Sequence, residues 1–211
     1  VPGTDGDTGW HFQKRNGYPS YTGWPRWNTI AHQQVWEGHL KQAHENGLTL
    51  YVMSAVDFTP LCKCMPVKNI KPGLKCDEMS SVDVQLQAAI DFAAQRDWVT
   101  IARSPGEARQ IINSGRLAMV LAIEVTGLFN NDDWSDRLDY YYRHYHVRSI
   151  QLAHQMDNRF TGVAPHHFIF KFFKLLDDIG EGDRQPGFDL DRDGRNRLGL
   201  TAEGKLLARA M

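Results

Sequence analysis

The run LAMVLAI, residues 117–123, meets Glu124 without a break, and this junction constrains the chain more than any other feature. Seven apolar residues in a row lack the alternation of a half-exposed strand, so the run reads as a strand buried on both faces. A carboxylate left alone in such surroundings would cost several kcal/mol, so Glu124 must be neutral, paired or bound to a metal. LTLYVMSAV (residues 48–56) reads as a second buried strand, VRSIQLAH (147–154) as a third, and WVTIA (98–102) as a short extended piece. Helical patterns separate them. Continuous apolar strands alternating with helices predict an α/β architecture, a parallel sheet covered on both faces.

The helical segments carry their own punctuation. From Asn28, Ile30, Val35, Leu40 and Ala43 mark one face of a helix that ENG ends at Gly47. Val82, Leu86, Ala89, Ile90 and Ala93 mark another over about 81–95. SPGEARQIINSG opens on Ser-Pro and closes on Gly115. WSDRLDYYYRHY, the aromatic-rich APHHFIFKFFKLLDDI and TAEGKLLARAM complete the set. Residues 1–27, including GYPSYTGWPRW, have neither period and are too aromatic for a flexible linker, so they read as an ordered loop preceding one α/β region over 28–211. That loop suits a substrate lid or a plug at the rim of the fold.

Charge and apolar content exclude some classes. A formal net charge of −1 gives no electrostatic case for nucleic acid or an anionic membrane surface. No apolar run approaches the roughly 20 residues that span a bilayer. Cys62, Cys64 and Cys76 cluster with no nearby His, which does not make a four-ligand structural zinc site. One bridge with one thiol left over points to an extracytoplasmic or secreted protein. Three free thiols in a reducing cytosol are the alternative.

In a (β/α) barrel, functional side chains project from the C-terminal ends of the strands. Glu124 holds that position on its strand and His154 holds it at the end of VRSIQLAH, 30 residues later, about one βα unit. Either residue alone reads as an ordinary core group, Glu124 paired with an Arg and His154 hydrogen-bonded. Their matched placement turns the pair into a candidate site.

GRLAMVLAIEVTGLF, VRSIQLAHQMDN and LGLTAEGKLLARAM together resemble the membrane dipeptidase (renal dipeptidase) family of the amidohydrolase superfamily. GWPRWNTIAHQQVWEGHLKQAHENGLTLYVMSAV resembles a bacterial branch with a long aromatic insert. The resemblance implies a (β/α)8 TIM barrel holding two zinc ions and hydrolysing dipeptides or related small amides. It implies that Glu124 bridges both zincs, that His154 contacts the substrate and its developing oxyanion, and that Asn158 lines the pocket. It also favours Cys62 as a bridged cysteine, with Cys76 closing the lysine-rich loop and Cys64 free.

The departures from the family are as specific. Its first strand carries a His-x-Asp metal pair, and none exists in this sequence. Two further metal histidines and a catalytic aspartate belong on strands beyond LLARAM. What is present resembles strands two to four with their helices. The chain is therefore expected to be a segment of something larger, folding beside the remainder of its barrel or a partner that covers the open sheet edges. A non-catalytic structural or binding relative is the alternative to an enzyme.

Other candidates are weaker. His32 and His39 are spaced i, i+7 where a helical metal pair wants i, i+4, and His44 adds nothing to them. His166 and His167 are adjacent and diverge on a helix. Asp189, Asp191, Asp193 and Gly194 resemble the start of a calcium loop, but position twelve is Leu200 where a Glu is required. Asp57 ends its strand and is a minor candidate for the same site as Glu124.

Overall fold

The computed structural model describes residues 37–64, 75–154, 156, 158–163 and 200–211. The aromatic N-terminal loop, His32, His166, His167 and the Asp189–Gly194 turn lie outside them. Two compact units divide the chain, one of residues 1–48 and 64–72, the other of 49–63 and 73–211.

Of the first unit, helix α1 (Glu37–Glu45) is described. Gly47 ends it at φ +108°, with the Leu48 N–H donating to Ala43 O and the Gly47 N–H to His44 O. This pairing of bonds around a left-handed residue is the Schellman stop that Gly makes cheaply.

The second unit is a mixed α/β structure around a four-stranded parallel sheet. Its elements are β1 (Leu50–Asp57), α2 (Thr59–Cys64), α3 (Glu78–Ala94), β2 (Val99–Ile101), α4 (Pro105–Asn113), β3 (Leu117–Val125), α5 (Trp134–Arg143), β4 (Val147–Gln151) and α6 (Ala202–Ala210). Strand β3 is the hub. β1 pairs along it from Leu50↔Ala118 to Asp57↔Val125. A strand has two edges, so β2, beside Leu117–Met119, and β4, beside Leu121–Glu124, share the other. The apolar run accounts for this central place: Leu117, Ala118, Leu121, Ile123 and Val125 are all fully buried.

The two faces of the sheet are covered unequally. Helices α3 and α5 are joined by a 2.8 Å hydrogen bond from the buried Tyr141 hydroxyl to Asp83. That bond and burial together push the Tyr141 pKa up, burial being the larger cause. On the opposite face, α4 seats Ala108 and Ile111 on Ala102 and Ala118, with Val120 beside them. Beyond that patch, Leu50, Val52 and Val56 of β1 are 42%, 49% and 40% exposed. Among the described residues, α4 alone packs on the second face, and only against the N-terminal half of β3.

Gln85 of α3 bonds both backbone groups of Val56, donating to its carbonyl at 2.9 Å and accepting from its N–H at 3.1 Å. A side-chain amide thus caps the outer edge of β1 where a neighbouring strand would otherwise bond. This satisfies the pair of groups that an open edge leaves unmet.

Cys62 and Cys76 are joined by a disulfide, their Cα atoms 5.5 Å apart. A closed loop of this size stabilises by about 3 kcal/mol through lost freedom of the unfolded chain. Free-thiol titration of the unreduced protein is expected to find one reactive cysteine, Cys64. Three would contradict the bridge.

Candidate functional site

β3 and its register place Glu124 at the C-terminal end of the sheet. Its neighbours across the strands are Val56 of β1 and Gln151 of β4, all three on the face that α4 leaves open. The residues beyond Gln151 turn off the strand, and His154 comes back over its end. Its Nδ1 lies 3.0 Å from Glu124 Oε1. The structure therefore brings the two candidate residues together, although β4 stops three residues earlier than the VRSIQLAH pattern implied. An ionised carboxylate only accepts, so this contact suits the tautomer with the proton on Nδ1. The side chains are 16% (His154) and 29% (Glu124) exposed, which leaves both reachable from solvent. Phe58, just past β1, stands edge-on to the His154 ring with centroids 6.4 Å apart.

The loops behind this pair hold it by backbone bonds. Thr126 is buried, and its hydroxyl donates to the His154 carbonyl. Asn158 is also buried and uses its whole amide on backbone. It donates to Thr126 O (2.8 Å) and Leu152 O (2.7 Å) and accepts from Phe160 N–H (2.9 Å) and Thr161 N–H (3.2 Å). Two donors and two acceptors exhaust the group. With its amide spent on backbone, Asn158 braces the turn that carries His154.

Asp57 belongs elsewhere. It is one residue past Val56, so its side chain points to the opposite face, where it meets Ser81 of α3. Burial raises its pKa, against the hydrogen bonds from the Phe58 N–H and Ser81.

Sequence reasoning missed the N-terminus of α3. Asp77 caps that helix, accepting from Ser80 N–H at 2.7 Å, and takes the Asn130 amide at 3.1 Å on its other oxygen. Burial works to raise its pKa, but the bonds from Ser80 and Asn130 outweigh it and hold the carboxyl below its ordinary range. Glu78 follows and is 3% exposed. Its carboxylate accepts from Thr59 N–H at 3.0 Å and from Gly127 N–H, tying the exits of β1 and β3 together. The cap was legible as an Asp three residues before a Ser. The burial of Glu78 was not, since an acid in a first helical turn ordinarily stays in water.

A carboxylate and an imidazole are donors of the kind zinc takes, so the pair fits a metal in chemistry. It does not fit in number. Zinc takes three or four protein ligands, and no group of three His, Cys, Asp or Glu side chains that could hold an ion exists among the described residues. Further ligands would have to come from outside those residues. A cavity of about 320 Å³ lies between α5, β4 and the end of α6, and its lining includes neither Glu124 nor His154. Nor do the described residues include a helix long and apolar enough to cross a membrane. Compared with protein-family models, with curated proteins and with solved structures, the chain matches none.

Proposed function

We propose that this chain is part of a hydrolase of the membrane dipeptidase kind, acting on dipeptides or related small amides. The 3.0 Å contact between Glu124 and His154 at the C-terminal end of a parallel sheet is the observation that carries it. The segments that resemble the family supply these two residues. The sheet adds support for a partial (β/α) barrel. β1, β3 and β4 are parallel neighbours, and α5 forms the crossover from β3 to β4, whereas the chain from β1 to β3 passes through α3, the short β2 and α4.

Each residue then has a role. Glu124 presents a half-buried carboxylate from a rigid strand and orients the His154 ring through Nδ1. A doubly protonated ring could donate to Glu124 and, from Nε2, to the oxyanion of a tetrahedral intermediate. Two zinc ions, when bound, would supply a hydroxide at neutral pH and polarise the scissile carbonyl. Glu124 is the residue here that would hold them. Any further ligands would come from outside the described residues.

A second reading is favoured by one observation, the absence of any His-x-Asp from the sequence. It is a non-catalytic relative that keeps the fold for structure or binding.

The test is hydrolysis of a dipeptide panel by the intact protein, with zinc and with a chelator. Activity that needs zinc and falls by about 10²–10³ in His154→Ala, the worth of an oxyanion donor, supports the first reading. Activity untouched by His154→Ala overturns it. A folded, zinc-supplied protein that hydrolyses nothing supports the second.

A further inference from the structure

We propose that Glu78 is the positioning residue of the Glu124–His154 pair. The inference rests on reading that pair as the site and adds the group that sets its geometry.

The chain of contacts is continuous. Glu78 is buried at the start of α3 with one carboxylate oxygen on the Thr59 N–H and the other on the Gly127 N–H. Gly127 follows Thr126, whose hydroxyl holds the His154 carbonyl and whose own carbonyl takes the Asn158 amide. The position of Thr126 therefore fixes the residue that carries the imidazole. A Cβ on Gly127 would sit 3.2 Å from Glu78 Oε2, so the absence of a side chain there lets the carboxylate close on the Gly127 N–H.

The backbone just beyond shows what the clasp works against. Phe129 and Asn130 both adopt left-handed conformations, at φ +60° and +47°. Non-glycine residues hold such conformations only where their surroundings over-determine them. Here Phe129 is fully buried, stacked on Tyr141 and edge-on to Phe160, and Asn130 is tied to Asp77. Residues 127–130 are thus gripped by two adjacent acids of one helix end. Glu78 holds the end of that segment nearest the site, and nothing but Thr126 stands between its grip and His154.

A carboxylate suits this task and an amide does not. Two N–H groups converge on two acceptor oxygens, and a Gln would turn a donor toward one of them. A buried N–H left without an acceptor moves or takes up water.

The ring itself reports the outcome. With the intact protein labelled with ¹⁵N-histidine, at a pH where the ring is neutral, the two nitrogen shifts give the ratio of Nδ1–H to Nε2–H tautomers of His154. Contact with Glu124 holds the proton on Nδ1. In Glu78→Gln that ratio is expected to fall by about fivefold, the worth of one lost hydrogen bond. Thr126→Val, which cuts the next link, is expected to do the same. Leu86→Ala removes a buried side chain from the same helix without touching the clasp and is expected to leave the ratio unchanged. Should Glu78→Gln not fold, Glu78→Asp carries the test, its shorter arm reaching one N–H and lowering the ratio. An unchanged ratio in the Glu78 variant, or an equal fall in Leu86→Ala, overturns the proposal. Because the ring is read directly, that result leaves the dipeptidase reading to its own assay.

Discussion

Gly204→Ala is expected to lower the unfolding free energy by about 3 kcal/mol, the upper end of what overpacking costs. The usual sign is the opposite, since Ala is favoured over Gly inside a helix by about 1 kcal/mol. Packing decides it. A Cβ on Gly204 would fall 2.0 Å from the Phe160 carbonyl oxygen and 2.8 Å from its carbon. Those are backbone atoms, so no rotamer change relieves the collision, and α6 must lift from residues 159–161. Lifting it breaks the bonds from the Thr201 N–H to Phe160 O (2.9 Å) and from the Thr201 hydroxyl to Arg159 O (2.7 Å), and it exposes Leu207, now fully buried. Urea unfolding followed by circular dichroism measures the change. A neutral or stabilised variant would contradict the docking of α6.

The consequence reaches the site, because Phe160 and Thr161 are the residues whose N–H groups bond Asn158. Gly204→Ala should therefore disturb the His154 turn as well as weaken the fold. This places α6, far along the sequence, in the support of a pair that the strands carry.

What could be read from the sequence follows from how locally each feature is determined. β3 was legible because seven apolar residues admit few other placements, and α4 because Ser104 caps it with a 3.1 Å bond to the Glu107 N–H and Gly115 ends it at φ +77°. Glu124 was legible as a carboxylate with nowhere ordinary to go. The rest depends on long-range contacts. The short α2 has no period to betray it, and α3 begins at Glu78 rather than near Ser81 because its first turn is anchored to loops 49 residues away in sequence. β4 stops at Gln151, since residues 152–154 are drawn into a turn by Asn158 and Thr126. Strand order is also tertiary. WVTIA pairs with the start of β3 and leaves the end of that strand to β4. Family resemblance put Asn158 near the pocket, where its four backbone bonds make it a brace.

The largest effect on activity is expected from Glu124→Gln. The substitution keeps the size and the acceptor toward His154 but removes the charge that would hold divalent cations. Any zinc-dependent hydrolysis by the intact protein should then be abolished along with stoichiometric zinc binding, whereas His154→Ala should reduce turnover and leave zinc bound. Loss of the metal is the sharper expected consequence because an uncharged amide is a poor ligand for a divalent cation where a carboxylate would hold one.

Diffraction at the zinc absorption edge, from crystals of the intact protein grown with zinc, tests the placement of the site most directly. The account predicts anomalous density within about 2.2 Å of a Glu124 carboxylate oxygen, at ordinary zinc–oxygen distance, and its disappearance in Glu124→Gln. Zinc bound only elsewhere, in a protein that hydrolyses dipeptides, would contradict it.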